Sequence, residues 1–284
     1  MTIRVEIRDG DPYWYLSPDV WVVPGDDPNG APGTPIAGRS AFVWAHVVNR
    51  GSGAANGVRV NFWWADPSGQ VLRGNAHPIG SAFADLAPDG QPGSAQDVLC
   101  LVPWPVTLVN GGHECLVAEA IHAGSSVPFP PPDAFNPPSF IEIAQRNLTV
   151  LAPMAGAPTR MLTIAAGPRA DKRAVVTVEV GGRLDGRTLG HLGLKGLRPG
   201  KGEGVEVGLA PAAGCVPEKG PLGGQKLALD VPRGTRRAVH VAVRARDPAP
   251  DEYVLVNVVE HGADDRPVGG YGYVVVRQGK EDDR

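Results

Sequence analysis

The sequence predicts an all-β protein made of two antiparallel β-sandwich domains. Glycine and proline together supply 67 of the 284 residues, about twice the usual share, yet 42% of the chain is hydrophobic. The apolar residues recur in short runs with a two-residue period, and helical periodicity is nearly absent. Turn-forming residues bound these runs. Short strands joined by tight turns explain these three observations better than disorder does.

The first half contains seven apolar runs, each of which we interpret as a strand. They cover residues 3–7, 20–23, 41–48, 58–64, 98–102, 115–122 and 141–151. The segments between them are rich in proline, asparagine, aspartate and glycine, as in residues 24–30 and 110–112. About seven short strands with such turns are typical of an antiparallel sandwich.

The fourth run shows how the predicted core arises. Side chains alternate between the two faces of a strand, so Val58, Val60, Phe62 and Trp64 share one face and Trp63 lies on the other. We expect the first face to pack against a second sheet, because large aromatic side chains bury the most area. Trp63 is expected to point outward.

The third run contains a comparable face, formed by Phe42, Trp44, His46 and Val48. A short polar connection joins this run to the fourth one, so the two strands are expected to be neighbours. We therefore expect this Phe/Trp/Val face to be buried between the sheets as well.

Four segments of the first half resemble the CARDB-type immunoglobulin-like modules of bacterial surface and exported proteins. They are SPDVWV at 17–22, HVVNRG at 46–51, VRVNFWWADP at 58–67 and HECL at 113–116. The resemblance covers roughly residues 17–151. It implies an immunoglobulin-like first domain that is noncatalytic and serves in adhesion or as an accessory to other domains.

The second half has its own series of predicted strands and a different composition. Its runs cover residues 161–165, 174–180, 205–209, 227–231, 238–246, 253–260 and 271–277. Residues 1–152 carry a net charge of −7 and hold all six Trp and all six Phe, whereas residues 153–284 carry +4. We therefore predict a domain boundary after residue 152, with a second, Val/Leu-cored sandwich over 153–284.

Composition also limits the classes of binding partner and the cellular location that we expect for the protein. A net charge of −3 and a pI near 6.2 argue against a nucleic-acid partner. No run approaches the ~18 apolar residues of a membrane helix, and the first residues lack the features of a signal peptide. The sequence predicts a soluble protein, either cytoplasmic or exported by a non-classical route.

No motif requires a cofactor, and the metal sites are weakly indicated. Asp26 and Asp27 could bind calcium in an irregular loop, although a plain turn explains them better and no EF-hand register fits. A possible disulfide between Cys100 and Cys115 would add about 3 kcal/mol of stability. Two buried thiols are the favoured alternative, because Cys215 makes the count odd.

Two aromatic segments are candidates for recognition. One is Tyr13-Trp14-Tyr15 together with the outward Trp63, which could stack on a sugar or contact a protein. The other is the stiff proline-rich segment 128–138, which carries Phe129 and Phe135. Structural roles, as a plug on the sandwich and as a crossing loop, explain the same residues.

We interpret the chain as a noncatalytic structural or protein–protein interaction module of a bacterial assembly or surface system. The charge difference between its halves suggests a homo-oligomer with head-to-tail contacts. The alternative is a carbohydrate-binding accessory protein. An enzyme whose residues meet only in the folded chain is a third hypothesis.

Overall fold

The computed structural model describes residues 1–66, 71–107, 114–127, 130, 132–133, 135–151, 160–166, 173–211, 223–232, 235–245, 248–262 and 264–277. Contacts within these residues define two compact units. Unit 1 consists of residues Met1–Asp66, Val71–Asn147 and Asp185–Leu194, and unit 2 of the described residues in 148–184 and 195–277. The predicted boundary after residue 152 stays a prediction.

Unit 1 is an antiparallel β-sandwich. Its strands are β1 (Val5–Glu6), β2 (Val20–Pro24), β3 (Ser40–Asn49), β4 (Ala55–Ala65), β5 (Ala76–Leu86), β6 (Ala95–Leu99), β7 (Trp104–Pro105), β8 (Cys115–Ile121) and β9 (Ile143–Arg146). In the first sheet β3 pairs with β1, β2, β6 and β7, and the second sheet has the order β5-β4-β8-β9. Every one of these pairings is antiparallel. The predicted all-β class is confirmed.

The core of unit 1 lies between its two sheets. Val58, Val60 and Phe62 of β4 are fully buried in it, and Trp64 packs against it. This is the face that the two-residue alternation predicts. Trp104 of β7 is also in the core, at 1% exposure.

The predicted orientation of β3 is wrong. Its core residues are Ala41, Val43, Ala45 and Val47, so the face with Phe42, Trp44 and His46 lies on the other side of the sheet. Both faces of this strand are apolar, and alternation alone does not say which one turns inward. Phe62 and Trp104 already fill the core with rings, and the small side chains of β3 leave room for them.

Several elements of unit 1 have no counterpart among the predicted ones, and β5 and the helix α1 are the longest of them. Strand β5 was missed because Pro78, Gly80 and three alanines hide its period, and it is held by pairing with β4. The helix α1 (Gly186–His191) is capped by Asp185, whose Oδ1 accepts a 2.8 Å hydrogen bond from the Arg187 N–H. Two short 3-10 helices, Arg73–Asn75 and Pro137–Ser139, complete the unit.

Unit 2 is also built from β-sheets. Its strands are β10 (Leu148–Leu151), β11 (Arg160–Ala166), β12 (Arg173–Val180), β13 (Arg198–Pro199), β14 (Val205–Pro211), β15 (Lys226–Asp230), β16 (Arg237–Ala245), β17 (Glu252–His261) and β18 (Pro267–Val276). One sheet has the order β10-β18-β17-β12-β15 with β13 beside β17, and the other has the order β11-β16-β14. The pairings of β10 with β18 and of β13 with β17 are parallel, and the others are antiparallel. Along the described chain, no helix has both the length and the apolar character that crossing a membrane takes.

A buried carboxyl follows β1. Burial, and to a smaller extent the nearby Glu6, raises the pKa of Asp9 to about 8. Its Oδ1 is shielded from solvent and has no hydrogen-bond partner among the described residues. Since the unfolded pKa is about 3.9, the folded chain binds one more proton than the unfolded chain between about pH 4 and pH 8. Stability attributable to this group therefore falls as the pH rises through that window.

Replacing Asp9 with Asn should remove this dependence. At pH 8 we expect the Asp9→Asn variant to be more stable than the parent by at least about 1 kcal/mol, with the difference shrinking toward pH 5. Urea unfolding at the two pH values measures it. Asp11→Asn, an exposed change two residues away, is the matched control and should show no such trend. A pH-independent difference for Asp9→Asn would contradict the assignment.

Candidate interaction surfaces

The Tyr13-Trp14-Tyr15 segment forms a tight turn on unit 1. The Leu16 N–H donates to the Tyr13 carbonyl at 2.9 Å, and the Gly10 N–H donates to the Trp14 carbonyl at 3.2 Å. The ring centroids of Tyr13 and Trp14 lie 5.9 and 5.6 Å from that of Tyr15. The three aromatic side chains therefore form one cluster.

Within this cluster Tyr15 is part of the interior. Its exposure is 1%, whereas Tyr13 and Trp14 are half-buried. A buried ring offers no face to a ligand, so the assignment of Tyr15 to a recognition surface is corrected. Tyr13 and Trp14 remain candidates for contact with a partner.

Trp63 lies on the outer face of β4, as alternation predicts, but it is covered. The ring of Phe135 lies 5.0 Å from it in an edge-to-face arrangement. The guanidinium of Arg73 lies 4.4 Å from the Phe135 centroid and 5.8 Å from that of Trp63. Arg73 also forms a bidentate ion pair with Glu119, with Nη1 3.2 Å from Oε2.

This cluster changes the role predicted for Phe135. Its side chain is fully buried and contacts Trp63 and Arg73, so Phe135 covers part of the outer face of the second sheet and is not available for recognition. The structural alternative, a loop that crosses between the sheets, is also wrong, because β8 and β9 on either side of it pair in the same sheet. Phe129, the other predicted residue of this segment, lies outside the described residues.

An aromatic stack on the outer face of the first sheet was not predicted. Trp21 of β2 stacks on Trp44 of β3 with ring centroids 5.9 Å apart and planes 9° from parallel. His191 of α1 stacks on Trp21 at 4.5 Å. The Trp44 Nε1–H donates to the Pro28 carbonyl at 3.1 Å. The two tryptophans meet because Trp21 and Trp44 are directly paired across the strands.

Charged residues surround this stack. Arg187 of α1 donates from Nη1 to Asp19 Oδ1 and from Nη2 to Asp97 Oδ1, both at 3.1 Å. Arg8 approaches Asp19 to 3.6 Å, and His46 Nδ1 lies 2.6 Å from Asp97 Oδ1. These contacts join the helix to the sheet within unit 1.

The ionisation of the stack and its charged rim follows from burial. The Asp19 side chain is only 4% exposed, and burial raises its pKa, while Arg187 and Arg8 oppose the rise. Burial, with Arg146 and Arg187, lowers the pKa of His191 to about 4. His191 is therefore neutral at pH 7, as suits a ring stacked on Trp21.

The arrangement is suited to holding α1 on the sheet. Each carboxylate of the network faces an arginine or a histidine, and Arg187 bridges two of them beside the Trp21 ring. The residues of this arrangement that we identified from the sequence are Trp44 and His46, which we expected in the core and which lie on the outer face of β3. The contribution of residues 185–194 has no local signal, because Arg187 is 168 residues from Asp19.

The remaining predicted sites are simple to place. Cys100 and Cys115 are both buried and are not joined by a disulfide, so the possible disulfide is not formed. The Asn29 N–H donates to Asp27 Oδ1 at 2.9 Å, which is the turn chemistry that explained Asp26 and Asp27 without calcium. Across the described ranges, no group of three or more metal-binding side chains is found.

Unit 1 also exposes several large apolar side chains. Phe83 of β5 is 69% exposed, and Leu101 and Val102, which follow β6, are 75% and 48% exposed. A Cβ built on Gly80 of β5 would lie 2.8 Å from Val102 Cγ2, so Val102 lies beside β5, the strand that carries Phe83. Exposed apolar residues of this size are common at sites of protein contact.

No family model and no curated protein matches the chain. Among solved structures it is similar to the collagen adhesin CNA from S. aureus, with 7% identity over 91% of this chain and 92% of that one and a TM-score of 0.23. It is similar to the CupB6 tip adhesin from Pseudomonas aeruginosa, with 9% identity, 98% and 99% coverage and a TM-score of 0.22. The corresponding values for CBD12 from CALX1.2 are 10%, 96%, 99% and 0.23. Likenesses at this level establish neither a family nor a function for this chain.

Proposed function

We propose that the chain is a noncatalytic protein–protein interaction module. The observation that supports this most directly is the exposure of Phe83, Leu101 and Val102 on unit 1. Burying such residues against a partner is favourable by about 25 cal/mol for each Å² of apolar surface removed from water. A rigid sheet loses little conformational entropy when it binds.

The partner that the composition favours is a second copy of the chain. Residues 1–152 carry −7 and residues 153–284 carry +4, so the first half of one copy attracts the second half of another. Contacts of this head-to-tail kind are heterologous and build chains or rings. We include in the proposal a setting in a bacterial surface or assembly system, which is supported only by the resemblance of four segments to CARDB-type modules.

Light scattering at low and high salt tests the self-association. We expect a mass above the 29.7 kDa of one chain at about 20 mM salt, and a return toward that mass at about 1 M, where the Debye length is about 3 Å. A mass of one chain under both conditions, at concentrations up to about 100 times the lowest one, would overturn the head-to-tail proposal.

Charge reversals make this experiment specific. The double variant Lys226→Glu and Arg237→Glu reverses two exposed charges of the basic half and should dissociate at lower salt. The matched variant Arg39→Glu and Arg59→Glu reverses two exposed charges of the acidic half and should associate at least as well as the parent. Equal weakening by both pairs would show that the charge difference does not direct assembly.

The carbohydrate-binding alternative now depends on fewer residues. Tyr15 is buried and Trp63 is covered by Phe135, which leaves the half-buried rings of Tyr13 and Trp14. A glycan array separates the alternatives, since an interaction module without sugar specificity should give no hits.

A further inference from the structure

A depression on unit 1 contains a buried carboxylate with an unused oxygen. We call it the Glu142 depression. Its polar lining consists of Glu119, His122, Ser125 and Glu142, and its apolar lining includes Ile121, Val127 and Pro130. The depression opens to solvent, and the space it encloses is about 20 Å³, which is room for a group the size of a water molecule or an ammonium head.

Glu142 is the lining residue whose hydrogen bonding is incomplete and which could therefore bind a ligand. It is 7% exposed, and its Oε1 accepts a 3.3 Å hydrogen bond from the Ser125 hydroxyl. Its Oε2 is shielded and has no hydrogen-bond partner among the described residues. A buried carboxylate oxygen without a donor is costly, so a donor supplied from outside would be favoured.

The groups around Glu142 favour binding of a cation over binding of an anion. Glu119 adds negative charge, although it is already paired with Arg73. Both ring nitrogens of His122 are engaged, because its Nδ1 accepts from the Gly124 N–H at 3.0 Å and its Nε2 is 3.0 Å from the Asn56 carbonyl. A bound anion would meet two carboxylates, and the described polar residues of the lining offer it no unengaged donor.

The nearby cation does not already fill this role. Arg4 acts on Glu142 only through its charge, and it is exposed. Burial raises the pKa of Glu142, and its own backbone N–H, the Ser125 hydroxyl and Arg4 oppose the rise without cancelling it. A further cation at the depression would therefore be stabilising.

The shape and the number of ligand atoms narrow the class of cation. One unused carboxylate oxygen does not satisfy a divalent metal, which needs several oxygen ligands. It also does not offer the pair of acceptors that a guanidinium fork prefers. A primary ammonium is a compact donor, and a methylene stem attached to it would lie along Ile121, Val127 and Pro130.

We propose that the Glu142 depression binds a primary ammonium on an aliphatic stem, as in a lysine side chain presented by a partner protein. The ammonium would donate to Glu142 Oε2 after a small rotation of the carboxylate. This inference deepens the proposed function by naming a group that a partner inserts. Its test uses small probes on the dissociated chain at high protein dilution, so it can fail while self-association succeeds.

The test is an NMR titration of the ¹⁵N-labelled full chain. n-Butylammonium should shift the amide signals of Ile121, Ser125 and Val127 in a saturable way, with a Kd on the order of 1 mM, and n-butanol should not. Glu142→Gln should weaken the binding by about tenfold or more. Asp26→Asn, which removes one exposed carboxylate from another loop, is the matched control and should leave the binding unchanged.

A peptide probe separates the two sources of the ammonium. Acetyl-Gly-Lys-Gly-amide that binds as well as n-butylammonium identifies a protein lysine, whereas binding of n-butylammonium alone identifies a free amine and removes the partner from the proposal. Equal shifts from n-butanol, or full binding by Glu142→Gln, would overturn the site. If Glu142→Gln does not fold, Val127→Phe, which fills the depression from a loop, should abolish the shifts, and unchanged binding by it would also overturn the site.

Discussion

Replacing Arg73 with alanine is expected to destabilise unit 1 by about 3 kcal/mol or more. The change leaves the Glu119 carboxylate, whose side chain is 3% exposed, without the guanidinium that binds both of its oxygens. Removing one member of a buried ion pair is costly because the other charge stays out of water. The change also removes the cation that lies over the rings of Phe135 and Trp63.

Urea unfolding followed by tryptophan fluorescence measures this loss. All six tryptophans belong to unit 1, so the signal reports the unit in which Arg73 lies. Arg59→Ala is the matched control, since Arg59 is exposed on the face of β4 that carries Trp63. This change should lower the free energy of unfolding by no more than about 0.5 kcal/mol. A loss below about 1 kcal/mol for Arg73→Ala would show that Glu119 regains water or another donor.

Replacing Phe62 with alanine should have an effect of similar or larger size. Phe62 is fully buried in the centre of β4, between the two sheets. Removing its ring loses the transfer free energy of the side chain and leaves a cavity, which together cost about 3–5 kcal/mol. The urea concentration at the midpoint of unfolding should fall, while the slope of the unfolding free energy against urea concentration stays unchanged.

Phe83→Ala provides a comparison that changes the same side chain in the neighbouring strand. Phe83 is 69% exposed on β5, so its truncation should change the stability of unit 1 by no more than about 0.5 kcal/mol. Similar losses for Phe62→Ala and Phe83→Ala would be incompatible with the sandwich core described above.

Period-two alternation was sufficient for β4 because only one of its faces is continuously apolar. The opposite face carries Arg59 and Asn61 beside Trp63, so the direction of burial was decided locally. The same reasoning failed for β3, where Ala41, Val43, Ala45 and Val47 form one apolar face and Phe42 and Trp44 belong to the other. When both faces of a strand are apolar, packing against the opposite sheet determines which face is buried.

The candidate surfaces were predicted less completely than the strands. Tyr13 and Trp14 were identified from an aromatic segment and Trp63 from the outward face that alternation gives it, but their neighbours were not. Phe135 and Arg73 reach Trp63 from other segments, and His191 reaches Trp21 from the second half of the chain. No spacing rule connects residues that far apart, because their contact depends on how the loops cross the sheets.

The sequence alone determined the all-β class and most of the strands, because the alternation of side chains and the chemistry of turns are properties of a few neighbouring residues. Only the tertiary structure decided which face of β3 is buried, which rings are covered, and that α1 contacts the outer face of the first sheet through Arg187, Asp19 and Asp97. Those outcomes depend on the volume available between sheets and on charges that meet across 90 to 168 residues of chain, quantities that local sequence does not contain.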